Sequence, residues 1–271
     1  MNELFLNQAE LLAALDAVSA RALVSISREK LFPTDIDERR TVLERGTESL
    51  KQRGMLRVDT DNKAVLDAQL ATIISTMAFP RIAIAVVTND QQAGLRLLWF
   101  YQARDHIIEH GLTRQRQHHI TEVPDVSALI ARIQAFLAVK PASNVVSGAG
   151  PEASLEMEQE VFFTVKRLAE QHELERAKEL LLNCGFAAGD ANALLQVLEQ
   201  PLAAGNIAIL RCAPESETIV DGRNLALLQD GRAAWSARQK VPGEPVLVVE
   251  TTAATAIKEQ LRAYLEELAQ V

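Results

Sequence analysis

Apolar positions recur at helical spacing from the start of the chain. Leu4, Leu11, Leu12, Leu15 and Val18 share one face, with Asn7 as a candidate cap, so the spacing predicts a helix there. Val24 to Ile26 is a short apolar run, readable as a buried strand or as the start of a second helix. Phe32-Pro33-Thr34-Asp35 breaks the pattern. Asp37 to Gln52 then reads as a charged amphipathic helix closing at Gly54, a residue suited to the left-handed turn that ends helices. Met55 to Asp59 is predicted extended, Thr60-Asp61-Asn62 a turn, and Lys63 to Met77 a helix.

After Phe79-Pro80 the period drops to two. Ile82, Ile84 and Val86 alternate with small residues, Asn89-Asp90 reads as a turn, and Leu95 to Ala103 as the returning strand. His106 to His110, ended by Gly111, and Arg116 to Val123 read as further strands, followed by a helix from Pro124-Asp125 to Leu137. Lys140 to Pro151 (KPASNVVSGAGP) has no period and reads as a linker. The expected organisation is therefore a first unit over 1–139, a linker over 140–151 and a second unit over 152–271.

The second half repeats the plan of the first. Leu43-Glu44-Arg45, Glu48, Leu50 and Gly54 recur 131 residues later as Leu174-Glu175-Arg176, Glu179, Leu181 and Gly185. Ile82-Ala83-Ile84 matches Ile207-Ala208-Ile209, and Leu95 with Leu97-Leu98 matches Leu225 with Leu227-Leu228. Ala135-Phe136-Leu137 matches Ala263-Tyr264-Leu265, and Glu122 matches Glu250. The offset changes after Gly185 and within Ala213 to Arg223, so length differences fall in turns while identities fall in elements. Each unit reads helix, helix, three or four antiparallel strands, helix. The expectation is an internally duplicated α+β fold, its units either joined about a pseudo-two-fold axis or separate beads.

Composition narrows the function classes. Apolar residues make up 48% and charged residues 24%, which is ordinary for a globular chain, while aromatics are only 4%. The formal charge is −8, which opposes phosphate contacts, and basic residues are interspersed with acids. The nearest approach to a basic patch is Arg104, Arg114 and Arg116 with His118 and His119. No nucleic-acid partner is expected. The N-terminus carries acids and no secretory pattern, and no apolar run reaches the length of a membrane span, so a cytoplasmic protein is expected.

No local motif carries chemistry. Cys184 and Cys212 lack metal or redox spacing and read as small buried hydrophobes. His118 and His119 are adjacent on a strand and point to opposite faces, so they do not grip one metal; they read as polar strand-end residues. Ser147-Gly148-Ala149-Gly150 lacks the lysine of a phosphate loop. Asp221-Gly222 and Asp230-Gly231 read as hairpin turns. The acids at Glu156, Glu158, Glu160, Glu173, Glu175 and Glu179 read as a solvated surface. Trp99, Phe100 and Trp235 are the largest apolar residues on expected strands and read as core. No catalytic, cofactor-binding or metal-binding residue is assigned, no enzyme activity is expected, and the partner-contacting residues are unknown. Leu43 to Val58, with Arg53-Gly54-Met55, also fits a winged-helix recognition helix running into its wing. That leaves a DNA-binding regulator as the alternative.

The phrases Leu50-Lys51-Gln52-Arg53-Gly54-Met55, then Leu66, Leu70 and Pro80 ahead of the strands from Ile82, resemble the EspG family, cytosolic chaperones of mycobacterial type VII secretion. So do Asp221-Gly222-Arg223-Asn224-Leu225-Ala226-Leu227, the strand Val246 to Val249 and the helix Thr255 to Leu268. The likeness spans nearly the whole chain through short motifs. It implies a central, mostly antiparallel sheet shared by the halves and flanked by two helical bundles. It further implies a non-catalytic chaperone or adaptor, with no cofactor, that binds a helical secretion substrate of the PE–PPE type; a homodimer is also compatible. The chain departs from the family in its few aromatics and in a modest inter-strand loop.

Overall fold

The computed structural model describes residues 3–24, 26, 33–61, 63–90, 94–137, 154–199, 201, 203–213, 216, 218–229, 234–252 and 254–269. In chain order the elements are β1 (Glu3–Leu6), α1 (Gln8–Ala17), α2 (Ile36–Gln52), β2 (Leu56–Val58), β3 (Ala64–Leu66), α3 (Ala68–Ala78), β4 (Ile82–Asp90), β5 (Gly94–Ala103), β6 (His106–Leu112), β7 (His118–Val123) and α4 (Val126–Phe136). They continue as β8 (Ser154–Glu158), α5 (Gln159–Glu170), α6 (Leu174–Asn183), α7 (Ala188–Glu199), β9 (Ala203–Cys212), β10 (Ile219–Gln229), β11 (Ala234–Gln239), β12 (Val246–Thr251) and α8 (Ala254–Ala269). Ten strands form one sheet in the order β1-β7-β6-β5-β4-β9-β10-β11-β12-β8, and β2 with β3 forms a separate hairpin. The fold is mixed α+β with a large antiparallel sheet.

Two compact units are each assembled from separate stretches. The first comprises Met1–Ala85, Leu97–Leu129 and Leu210–Asp221, the second Val86–Arg96, Ile130–Ile209 and Gly222–Val271. The linker expected over 140–151, including Ser147-Gly148-Ala149-Gly150, and the Asp230-Gly231 turn lie outside the described residues.

In the first unit, Asn7 is the cap that the sequence suggests. Its side chain accepts from Glu10 N at 2.9 Å, and Glu10 Oε2 accepts from Asn7 N at 2.8 Å, so two orphan amides at the helix start are satisfied reciprocally. Leu4, expected on the helix, lies upstream of this cap on β1, whose partner is β7 from Glu3↔Thr121 to Leu6↔His118. The pleat buries Leu6 fully and leaves Phe5 exposed. Leu11, Leu12 and Leu15 are fully buried, each stabilising by about 1.5–3 kcal/mol.

Helices α1 and α2 touch through Gly46, where any side chain would meet the Ala9 backbone. Beyond α2, the sequence reading of a helix from Lys63 is corrected: Ala64–Leu66 is a strand. Asp59 Oδ1 accepts from Asp61 N and Lys63 N, closing a tight turn, and Asp67 then caps α3. The turn expected at Asn89-Asp90 is also corrected, since β4 runs on to Asp90. Likewise β6 continues through Gly111 to Leu112.

Asp221-Gly222 is a further correction, because both lie inside β10. The reversal falls upstream, where Ala213 N donates to Thr218 O at 2.8 Å. Asp221 instead sits 4.0 Å from Arg211.

In the second unit, β8 pairs with β12 from Val246↔Glu158 to Glu250↔Ser154. Helices α5, α6 and α7 surround a core of Met157, Phe162, Val165, Leu181, Leu194 and Trp235. Helix α8 buries Ile257, Leu261, Leu265 and Leu268, one stripe at helical spacing. Helices α2 and α6 end alike. Met55 N donates to Leu50 O and Gly54 N to Lys51 O; Phe186 N donates to Leu181 O and Gly185 N to Leu182 O. Both glycines take positive φ, 70° and 96°, as this closing motif requires. Helices α1 and α5 close with the same pair of bonds, through Ser19 at φ 58° and His172 at φ 61°.

Candidate functional site

The most unusual chemistry in the described residues is a buried chain of three side chains in the first unit. Strands β6 and β7 pair antiparallel with His110 opposite Ile120, so His110 and His118 fall diagonally on one face. His110 is fully buried and His118 almost so. His110 Nε2 and His118 Nδ1 are 2.8 Å apart, and His118 Nε2 lies 2.8 Å from Gln8 Oε1, the first residue of α1.

The partners fix the protons. A carbonyl oxygen only accepts, so His118 donates from Nε2 and accepts at Nδ1, and His110 donates from its Nε2. That leaves His110 Nδ1 as a buried acceptor without a partner. The His110 ring stacks on Trp99 at 5.2 Å and on Tyr101 at 6.2 Å between centroids. Burial, with repulsion from His118 and His119, pushes His110 down to about 3. Burial brings His118 down to about 4. Both rings are neutral near pH 7.

A second buried polar centre lies at the start of α1. Ser49 Oγ donates to Glu10 Oε1 at 2.7 Å and Arg53 Nη1 approaches the same oxygen at 2.9 Å. Burial alone would raise this carboxyl, but the Asn7 amide, the Ser49 hydroxyl and the Arg53 guanidinium together hold it below its ordinary value. The centre ties α1 to the end of α2.

The other residues singled out in the sequence fall apart in space or into the core. His118 and His119 do point to opposite faces, but His118 is buried in the chain above rather than a polar strand end. His119 stacks on Phe5 at 4.8 Å and lies 3.8 Å from Glu3. Arg104 occupies the β5–β6 turn and Arg114 with Arg116 the β6–β7 turn, at opposite ends of β6, so the basic patch dissolves. Trp99, Phe100 and Trp235 are buried core. Cys212 is buried, its thiol pushed up to about 11 by that burial, and Cys184 is half-buried at the end of α6; both are free thiols. Lys240 pairs with Glu156 at 2.7 Å, and Glu173 pairs with Arg176 one turn away. Among the described residues no three His, Cys, Asp or Glu side chains are grouped to hold a metal.

Exposed large apolar side chains include Ile36 at the start of α2, Leu95 on β5, and Ile219 with Val220 on β10. Ile36 opens a shallow groove shared with Arg40, Leu43, Glu44, Thr47 and Lys51. Its lining mixes bases (Arg39, Arg40, Lys51) with acids (Glu44, Glu48), unlike the uniformly basic face that DNA contact through α2 would need. The helix α2 does run into the β2–β3 hairpin, but no comparison supports the DNA-binding reading. Among the described residues no helix is long and apolar enough to cross a membrane.

The architecture has a counterpart among solved structures. The fold is similar to that of EspG5. This is the Mycobacterium tuberculosis type VII secretion system chaperone, in a structure solved as a complex with a PE25-PPE41 dimer. The match covers 98% of this chain and 96% of EspG5, with a TM-score of 0.66 and 12% sequence identity. No protein-family profile matches the sequence. No curated protein matches it either. The likeness to EspG5 is one of fold.

His110 is the residue that sequence reasoning passed over. Its signal was present: Ile108 and His110, like His118 and Ile120, alternate at period two. Nothing local shows that the two strands bring those rings together.

Proposed function

We propose that this chain is a non-catalytic, cytoplasmic chaperone or adaptor that binds another protein and keeps it soluble, as the EspG type VII secretion chaperones do. The observation that carries the reading is the end-to-end correspondence with EspG5. The support is an analogy of architecture over nearly all of both chains; a fold by itself does not carry a function, so the test below decides it. In this reading the partner is a helical secretion substrate of PE–PPE type, and neither a cofactor nor a metal takes part.

The finer architecture belongs to the same proposal. The two halves are copies of one duplicated unit, related by a pseudo-two-fold axis and each contributing a helical bundle. In support, the helix-closing bonds at Gly54 and Gly185 are the same, and so are those at Ser19 and His172. The short strand before the first helix of each sequence half pairs with the last strand of that half, β1 with β7 and β8 with β12.

The test is co-expression. A neighbouring secretion substrate is produced alone and together with this chain, and its soluble fraction and co-elution are measured. The reading expects the substrate to be insoluble alone and to co-elute stoichiometrically when both are present. A substrate whose solubility is unchanged, or a chain that elutes alone or with nucleic acid, overturns it.

A further inference from the structure

We propose that the Gln8–His118–His110 chain is a proton-operated latch on the N-terminal corner, and that one added proton releases β1 and the first turn of α1 while the rest of the unit stays folded. The device rests on the proton count of the chain. Each bonded contact already contains its one hydrogen, and His110 Nδ1 is the ring nitrogen without a hydrogen-bond partner. A proton placed there becomes a buried N–H with no acceptor. A proton placed on His118 Nδ1 meets the N–H of His110 across 2.8 Å and forces that ring to move its own proton to Nδ1, with the same orphan. Either way a cation stands in the core with an unsatisfied donor, which the surroundings cannot offset.

Among the described residues, those surroundings hold no counter-charge for the pair. Strand β5 presents Trp99 and Tyr101, which are uncharged. Helix α3 contains no ionisable residue. On β6, Glu109 neighbours His110 and so points to the opposite face, and His106 pairs with Glu122 of β7 at 3.0 Å near solvent. On β7, His119 adds repulsion and sits against Glu3 of β1. On α1, Glu10 is already engaged by Ser49 of α2 and by Arg53 just after that helix, Asp16 is exposed at the far end, and the helix start carries the positive end of its dipole.

The chain also spans the corner it would hold. His118 is the ladder partner of Leu6, the last residue of β1, while its Nε2 reaches Gln8, the first residue of α1, with Asn7 between. Without that bond β1 is held by its own four-residue pairing with β7 and by the buried Leu6.

Hydrogen exchange on the full chain at pH 7 and at pH 4.5, corrected for intrinsic rates, tests the latch. Peptides covering residues 3–8 are expected to exchange at least tenfold faster at the lower pH, while those of α2 and α3 keep their protection. In His118→Gln, which takes up no proton, the step is expected to vanish. If that variant does not fold, ring-proton titration of the native chain decides: His118 protonation and release of residues 3–8 must share one midpoint. No step at residues 3–8, a step shared with α2 and α3, a step surviving in His118→Gln, or separate midpoints each overturn the proposal.

Discussion

Gly46 of α2 faces Ala9 of α1 so closely that a β-carbon at Gly46 would lie 2.0 Å from the Ala9 carbonyl oxygen and 2.5 Å from its carbon. No real contact is that short, and the obstacle is backbone rather than a movable side-chain tip. The absence of a side chain at Gly46 sets how closely the two helices approach.

Gly46→Ala therefore reverses the usual rule that alanine stabilises a helix interior by about 0.5–1 kcal/mol. The helices must separate, and an overpacking loss of about 1–3 kcal/mol is expected. Urea unfolding of the variant checks this; a midpoint at or above that of the native chain would contradict the contact.

Ser19 takes φ 58° where α1 closes, is exposed, and fills a position that glycine occupies without strain. Ser19→Gly is expected to raise stability by about 1 kcal/mol, the order of cost of holding a non-glycine residue left-handed. Thermal denaturation should show a higher midpoint, and a lower one would mean that the serine side chain contributes a bond worth more than the strain.

Acid should weaken the fold in two windows. Both buried histidines have folded values, about 3 and about 4, below the ordinary value of about 6.5, so below pH 6.5 the unfolded chain binds more protons. Their contribution is fully present above about pH 6.5. It is lost on acidification at up to about 1.4 kcal/mol per pH unit for each ring, until the folded values are reached. His118→Gln should flatten the urea-midpoint profile between pH 6.5 and 4, and an unchanged slope would place the sensitivity elsewhere.

Glu10 acts in the lower window. Its carboxyl is held below the ordinary value, so its contribution is present above that value and falls away at more acid pH. Glu10→Gln should cost about 1–3 kcal/mol at pH 7, because Arg53 and the Asn7 amide lose a charged acceptor. The difference from the native chain should shrink as the native carboxyl protonates; a constant difference would point to packing instead.

Local signals in the sequence agree with the structure where it uses local bonds. Asn7 caps α1, Gly54 and Gly185 end α2 and α6, and Asp125 caps α4 by accepting from Ala128 N at 2.8 Å, each through groups a few residues apart. The errors arose where distant segments overrode local preference. Leu4 follows the helical spacing of what comes next, yet β7 claims it within an edge strand. Asp221-Gly222 has turn chemistry, yet the reversal falls earlier in the chain and leaves the pair inside β10. His118 has the local pattern of a polar strand end, because its burial depends on β1, β6 and α1 converging on it.

By itself, the sequence determined the class of fold, the caps and ends of its helices, and the internal matches between Leu43 to Gly54 and Leu174 to Gly185. These depend on periodicity and on hydrogen bonds that close within one turn. Only the tertiary structure decided the order of the ten strands, the Gly46–Ala9 approach and the pairing of His110 with His118. Those features join residues far apart in the chain or on different strands, and what selects them is the joint burial of faces that no single segment contains.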